Sequence, residues 1–461
     1  MKEKILFFLC TAFFCSLYIS PMDALPLVMD GATGALCLYC AYLAMMERRA
    51  RRASEAGAGD ARDGGDAAGA GLRPGGGLLW GFLPWVLLPW ILLYAWTLLS
   101  AALSHDQPEG WSYAVLRLPL VAFPLSVGTL KISRALRGRI LLSYAVVTTL
   151  ACVACLVYAV WQAKRLGSTA YLYDDSLTEL SSVQSVYVAL MVEIALVVLG
   201  ARLFRGPRRP VWIYACIVFL MVFQFMLASR IGLVLLYSIA LGLGVWYFGV
   251  RRKRWGRVLA IAGILAGCGL LCIALFPKTI NRFRELGYTA YHYDSHGVES
   301  HYDMPVTADQ WNGANLRLAV WRCTWTVCRD HLWTGVPVGD KRQALVDSYR
   351  AVGFDFAATS RRNTHNTYLD VLLTYGVGGL VLFLAGFVVG PLWALARRRD
   401  LLGGIVVVLF AVSMVTETYI DRSVGCVLLG FFFAFFLSGY PGYTAPPPSP
   451  YPHNRQGSPD A

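Results

Sequence analysis

"RRNTHNTYLDVLLTYGVGGLVLFL", residues 361–384, sets two arginines, a histidine and an asparagine directly against an apolar run. Charged side chains near lipid are costly, so holding Arg361, Arg362 and His365 at the edge of a membrane helix needs a reason. The apolar run is one of many. The 461 residues are 57% hydrophobic and 15% charged, whereas a soluble domain carries about 25% charged residues. A spanning helix needs about 20 mainly apolar residues. Such stretches fall near 5–20, 25–46, 78–103, 113–130, 140–161, 182–200, 210–228, 231–250, 257–276, 374–396, 401–417 and 422–439. The pattern predicts an all-α polytopic membrane protein with about twelve transmembrane helices.

The connections predict its orientation. Alternate loops read "ERRARRASEAGAGDARDGGDAAGAGLRPGGG", "KISRALRGR", "ARLFRGPRR", "RRKRWGR" and "ARRRD". Together with Lys2, Lys4 and Arg455 they hold 25 of the 41 Lys and Arg residues. By the positive-inside rule both termini are expected in the cytoplasm. The formal charge of +13 sits mostly in these short clusters, which argues against a nucleic-acid partner. The start, "MKEKILFFLCTAFFCSLYISPMD", resembles a signal peptide, but no small-x-small cleavage site follows the apolar stretch. It reads as a retained first span; a cleaved signal would leave an odd number of helices and an external N-terminus.

The expected organisation is residues 1–46 as two spans, 47–77 as a disordered cytoplasmic loop and 78–276 as spans three to nine. Residues 277–366 form one large, partly helical external loop, 367–440 the last three spans, and 441–461 a Pro-rich, disordered cytoplasmic tail. Within the large loop, "ANLRLAVWRCTWTVCRDHLW" has apolar positions at helical spacing and predicts an amphipathic helix. Cys323 and Cys328, five apart on that helix, point to different sides, against a disulfide between them. Cys37/Cys40 and Cys152/Cys155 have CxxC spacing inside apolar segments, where they serve as small apolar side chains. No internal repeat, dinucleotide-binding pattern or P-loop is present, which excludes ATP hydrolysis by such a loop.

The chemistry-bearing residues gather on the external side. Arg230 opens a span in "FMLASRIGLVLLY", Arg317 lies in the amphipathic helix, and Arg361 and Arg362 precede His365. Glu417, Asp421 and Arg422 occupy the last external turn, and Arg117 lies about one turn inside the fourth span. A guanidinium binds phosphate oxygens bidentately, so convergent arginines at this level point to an anionic lipid headgroup such as a diphosphate. The plainer reading of each is an interfacial anchor or an ion pair. Thr364 or Asn366 is placed to cap the helix that follows, with Asp370 early in it. An imidazole held at such a helix start is positioned to take a proton from a sugar hydroxyl; a surface or capping histidine is the alternative. "YHYDSHGVESHYD" brings His292, Asp294, His296, His301 and Asp303 close in sequence, but the stretch matches no metal-ligand motif and suits a surface loop equally.

These stretches resemble a known family. "THNTYLDVLLTYGVGGLVLFL" is similar to the segment of O-antigen ligases and related polymerases in which a loop His-Asn leads into a helix and a Gly-containing span. "NLRLAVWRCTWTVCRDHLWTGVPVGD" resembles the preceding part of their large periplasmic loop, and "ASRIGLVLL" their Ser-Arg at a span start. The resemblance covers roughly residues 225–435. It implies a GT-C type glycosyltransferase of the bacterial inner membrane, acting at the periplasmic face on an undecaprenyl-diphosphate-linked glycan. A ligase of this kind transfers the glycan, with inversion, to lipid A-core or another glycan acceptor, without metal, nucleotide or other cofactor. Residues 277–366 would then be the catalytic loop. His365 matches the family's base, and Arg230 and Arg317 its diphosphate-binding arginines. Arg361, Arg362 and Arg117 are further candidates for the donor diphosphate, and Asn366 and Tyr368 are expected to support the site. Glu417 or Asp421 matches a late acidic position. An O-antigen or exopolysaccharide polymerase and a protein-glycosylating ligase remain alternatives. A membrane transporter is the alternative from another class, although the polar residues here gather on one face and the two halves differ in loop size.

Overall fold

The computed structural model describes residues 1–19, 26–60, 77–205, 210–295 and 310–439. The apolar runs fold as helices: α1 (Lys2–Ile19), α2 (Pro26–Asp60), α3 (Gly77–Ala102), α4 (Gln107–Arg117), α5 (Pro119–Ser126) and α6 (Arg134–Leu166). A four-residue α7 (Asp174–Leu177) precedes α8 (Ser185–Arg205), α9 (Val211–Met226), α10 (Arg230–Gly244) and α11 (Trp255–Leu275). The long loop contributes α12 (Pro277–Arg284), α13 (Asn315–Asp330), α14 (Lys341–Ala351) and α15 (Asp355–Thr359). The chain closes with α16 (Thr367–Leu384), α17 (Gly390–Arg397), α18 (Leu401–Ser413) and α19 (Ser423–Leu437).

Among the described residues, seven helical segments are long and apolar enough to cross a membrane, and four shorter apolar helices accompany them. The molecule is a multi-helix membrane protein, coarser in its count than the twelve spans the sequence predicts. Two boundaries differ from expectation. Helix α2 runs on to Asp60, through "ERRARRASEA", whose Ala, Arg and Glu are strong helix formers. Residues 61–76 and 440–461, the rest of the expected disordered segments, lie outside the described residues. The fourth span begins early, at Gln107, where the Asp106 side chain accepts from the Glu109 amide, and it is interrupted at Leu118–Pro119. Proline lacks the N–H that would continue the helical ladder.

Helix α19 is the axle of the bundle. Every residue from Gly425 to Leu437 is buried. Lipid chains are as apolar as leucine, so close packing rather than water exclusion holds such a helix. Phe431 packs edge-on against Phe14 and Phe123, and Phe433 against Phe410. At Gly430 the absent side chain lets α5 approach until a Cβ there would lie 3.0 Å from the Pro119 carbonyl carbon.

The long loop has a second core of its own. Trp311, wholly buried, lies with its ring centroid 4.6 Å from that of Phe354, the rings tilted, and Leu316, Val320, Leu345, Val346 and Tyr349 fill the space between α13 and α14. The predicted amphipathic helix is α13, and Cys323 and Cys328 on it are separate buried thiols. This core rests on Leu372 and Leu373 of α16. We call the face of the bundle that carries it the loop side.

Helix α16 is broken on that face. Gly376 has φ +64° and ψ −166°, a conformation open to glycine and strained for other residues. A Cβ there would run into the Trp333 carbonyl. The backbone groups freed by the break are taken up by the loop: Val336 N–H donates to Leu373 O at 2.7 Å, and Val377 N–H to Leu332 O at 2.9 Å. Non-helical backbone at membrane depth is tolerated where protein satisfies it in this way. The break leaves Thr367–Tyr375 as a short helix wedged between the loop core and the bundle.

Candidate active site

The wedge carries His365 at its start. Asn366 is the N-cap, its Oδ1 accepting from the Tyr368 and Leu369 amides at 2.9 and 3.0 Å. Thr364 instead donates to the Asn366 carbonyl at 3.1 Å and meets the Thr418 hydroxyl at 3.1 Å. Thr367 completes the stitching: its hydroxyl donates to Glu417 O at 2.7 Å and accepts from the Tyr419 amide at 3.0 Å. These bonds clamp the 414–419 turn onto the start of α16 and bring Glu417 to the histidine. His365 Nδ1 lies 3.3 Å from Glu417 Oε2.

Glu417 is buried, and burial pushes its carboxyl up. The hydrogen bond and charge of His365, then Arg317 and the Thr418 amide, outweigh burial and hold it below the usual carboxylate range. A carboxylate at Nδ1 favours the tautomer with its proton there and leaves Nε2 as the basic nitrogen. Nε2 makes no hydrogen bond among the described residues. His365 itself stands in the left-handed region, φ +44°, which a non-glycine residue adopts at some cost. Its amide donates to Asn363 Oδ1 at 3.2 Å.

Beside this pair lies a cluster of cations. Arg230 opens α10, behind the Ser229 cap, and donates to Glu285 Oε2 at 3.3 Å and to the Arg282 carbonyl at 3.1 Å. Arg317 donates through Nε to Thr416 O at 3.2 Å and through Nη1 to Gly313 O at 2.6 Å. Arg282, from α12, pairs with Asp174 and reaches Glu285 at 3.8 Å. All three guanidiniums surround Gly313. A Cβ on that glycine would meet Arg230 Nη2, with Arg317 Nη1 at 3.2 Å and Arg282 Nη1 at 3.5 Å. Like charges held this close make a concentrated positive site, tempered by Asp174 and Glu285. Because Arg317 bonds the carbonyl of Thr416, the cation cluster and the histidine pair are one residue apart along the 416–417 backbone.

The other sequence candidates fall elsewhere. Arg117 and Asp421 belong to a buried ionic cluster, not to the guanidinium cluster. Arg117 Nη2 lies 2.8 Å from Asp421 Oδ1 and 3.4 Å from Asp370 Oδ2, Nη1 donates to Tyr375 Oη, and Nε donates to Ile420 O at 3.3 Å. Lys341 closes the set, 2.9 Å from Asp370 and 2.6 Å from Asp421, with its ammonium 4.4 Å over the Tyr113 ring. Burial lowers the affinity of Lys341 for its proton, but Asp370 and Asp421 outweigh it and the net direction is up. For Asp421 burial pushes up, while Lys341 and Arg117 pull the net direction down. Arg361 is exposed, and Arg362 lies 5.4 Å over the Phe356 ring. Tyr368 acts as a bolt, its hydroxyl donating to Ala411 O at 2.6 Å.

Sequence reading missed Arg282 and Lys341. Arg282 had a signal: "NRFRELG" follows the ninth span directly, on the same side as Arg230. Lys341 had none, since it opens a loop helix 29 residues from its partner Asp370. His292 and Asp294 are exposed, whereas His296, His301 and Asp303 lie outside the described residues. Among the described residues no group of three or more His, Cys, Asp or Glu is placed to hold a metal ion.

No curated protein matches the chain. Residues 215–384, the stretch that holds Arg230, Arg282, Gly313, Arg317 and His365, match the family model described as O-antigen ligase.

Proposed function

We propose that the protein is an O-antigen ligase-like glycosyltransferase that moves a glycan from undecaprenyl diphosphate to a lipid A-core acceptor at the periplasmic face of the inner membrane. The observation that carries this reading is the convergence of Arg230, Arg282 and Arg317 on Gly313, one backbone residue from the His365–Glu417 pair. The family match, which goes with lipid-linked glycan substrates, supports it. The charge pattern of the loops supports the orientation, with both termini cytoplasmic and the loop side periplasmic.

The chemistry follows from the two poles. The donor's diphosphate seats on the guanidiniums, displacing Glu285 from Arg230. His365 Nε2 takes the proton of an acceptor sugar hydroxyl as that oxygen bonds the anomeric carbon. The anomeric carbon–oxygen bond to the diphosphate breaks, and its electron pair leaves with undecaprenyl diphosphate. Charge develops on that leaving oxygen, where preorganised arginines stabilise the transition state more than the ground state. Glu417 stabilises the imidazolium that forms. Attack opposite the leaving group inverts the anomeric carbon. The arginines supply the positive charge that a divalent cation supplies in other diphosphate chemistries, so turnover should survive a chelator.

The test is transfer by purified protein from undecaprenyl-linked glycan to lipid A-core, with chelator present. Glycan-capped lipid A-core of inverted linkage is the expected product. Growth of the lipid-linked chain itself would instead identify a polymerase, and absence of both products would overturn the reading.

A further inference from the structure

A second groove opens behind the turn that carries Glu417. It encloses about 900 Å³ between the start of α2, the α4–α5 break, the 182–184 loop and the start of α19. Asp30, Ser112, Val115, Pro119, Tyr187 and Arg422 line it. Its wall is the back of the site: Tyr187 donates from its hydroxyl to Thr418 O at 3.4 Å, and its ring lies 5.0 Å from Tyr419.

The 416–422 turn therefore separates two compartments. Its Thr416 carbonyl is held by Arg317, its Glu417 carboxyl by His365, and its Thr418 carbonyl by Tyr187. Asp421 is committed to Arg117 and Lys341. The next residue, Arg422, faces the groove, and its guanidinium makes no hydrogen bond or ion pair among the described residues. Arg422 is exposed at the mouth of the groove, where its planar fork is open to an anionic ligand group that enters beside the apolar wall. The apolar wall of Val115, Leu116, Leu118 and Val424 suits acyl chains, and the Asp30 carboxylate accepts from hydroxyls.

We infer that this groove receives the acceptor of the transfer, an acylated glycolipid that bears a phosphate, with the phosphate on Arg422, sugar hydroxyls at Asp30 and the acyl chains along α4 and α5. The inference rests on the proposed glycosyl transfer and adds where the second substrate enters. The acceptor's core sugar then passes the edge of the 416–422 turn to bring its hydroxyl to His365 Nε2, while the acyl chains and phosphate stay in the groove behind it.

The experiment places a photo-crosslinking residue at Val115, which is 70% exposed on the groove wall. Full-length protein is reconstituted in vesicles of phosphatidylethanolamine and phosphatidylglycerol, with lipid A-core added. The expected result is capture of lipid A-core in preference to either phospholipid, reduced about tenfold by Arg422→Gln, since a charge-assisted contact of this kind is worth about a factor of ten or more. Removing the phosphates of the lipid A-core should reduce capture similarly. In the transfer assay Arg422→Gln should raise the acceptor KM about tenfold and leave the donor KM within about twofold, with Arg422→Lys recovering part of the loss. Should Arg422→Gln fail to fold, Val115→Trp fills the groove from an exposed position and should raise the acceptor KM alone. Capture of phosphatidylglycerol that added lipid A-core does not displace, or equal changes in both KM values, would overturn the inference. Capture needs no turnover, so it decides the groove even if the wild-type protein transfers nothing to lipid A-core; that outcome would sink the proposed function instead.

Discussion

Two clusters on the loop side use the same residue types and differ in closure. In the buried one, Arg117 and Lys341 face Asp370 and Asp421, every charge has an opposite partner, and the four side chains are 1–7% exposed. In the other, Arg230, Arg282 and Arg317 crowd around Gly313, and His365 keeps 21% of its side chain exposed. Closed sets of charges hold parts together, because each group left alone in the interior would be strongly disfavoured. Open sets are poised for a charge that arrives from outside. The buried cluster joins α4, α14, α16 and the 419–421 turn, so it anchors both segments that deliver His365 and Glu417. Arginine identity alone does not assign a role; the balance of charge does, two cations against two carboxylates in the buried cluster and three guanidiniums against Asp174 and Glu285 around Gly313.

The comparison breaks first at His365. His365→Ala should lower turnover about 10²–10⁴-fold while leaving the unfolding midpoint in detergent nearly unchanged, because a base is needed only in the transition state. Near-normal turnover would remove the open cluster from the chemistry.

Asp370→Ala should do the reverse. It leaves Asp421 as the one carboxylate of the cluster facing both Lys341 and Arg117, so one buried cation loses its counter-charge, at a cost of about 3–5 kcal/mol of stability, seen as loss of folded protein on size-exclusion chromatography. Lys341→Met combined with Asp370→Asn leaves the Arg117–Asp421 pair intact and should recover most of that loss. A double variant as unstable as the single one would show that the cluster is not the clamp.

Within the open cluster, Arg230→Lys and Arg317→Lys keep the charge and lose the planar fork. Each should lower kcat/KM about tenfold to a hundredfold with folding preserved. Gly313→Ala sharpens the point without altering any charge. Its methyl would push among the three guanidiniums, and displacement of about an ångström should cost about tenfold in kcat. Wild-type rates in Gly313→Ala protein would mean that the arginines are not set by that contact.

The smallest effect is on pH. The Glu417 carboxyl is held below its ordinary value in the folded protein. Its stabilising share is therefore whole above the unfolded value, about pH 4.3, and is lost as the pH falls through the lower folded value. Glu417→Gln should remove about 1 kcal/mol near neutral pH and flatten the acid side of the stability profile. An unchanged acid limb would show that the His365–Glu417 contact contributes no pH dependence.

Some of this was legible in the residues alone. The apolar runs that fold as helices, the amphipathic helix at Asn315–Asp330, the Asn366 cap and the gathering of Arg230, Arg317 and His365 on one side all follow from local periodicity, capping and charge placement, which act within a few residues. Other features are decided between segments. Arg117 and Arg230 both begin as lone arginines near a span end, yet the packing of α4 against the 419–421 turn encloses one with Asp421, while α12 and Gly313 set the other among like charges. Whether Glu417 or Asp421 meets His365 likewise depends on Thr364 and Thr367 pinning a turn 50 residues away. Helix periodicity says which face a side chain occupies. Only the packed arrangement decides which opposite charge reaches it and whether water or lipid is shut out, and those two facts separate an anchor from a reactive site.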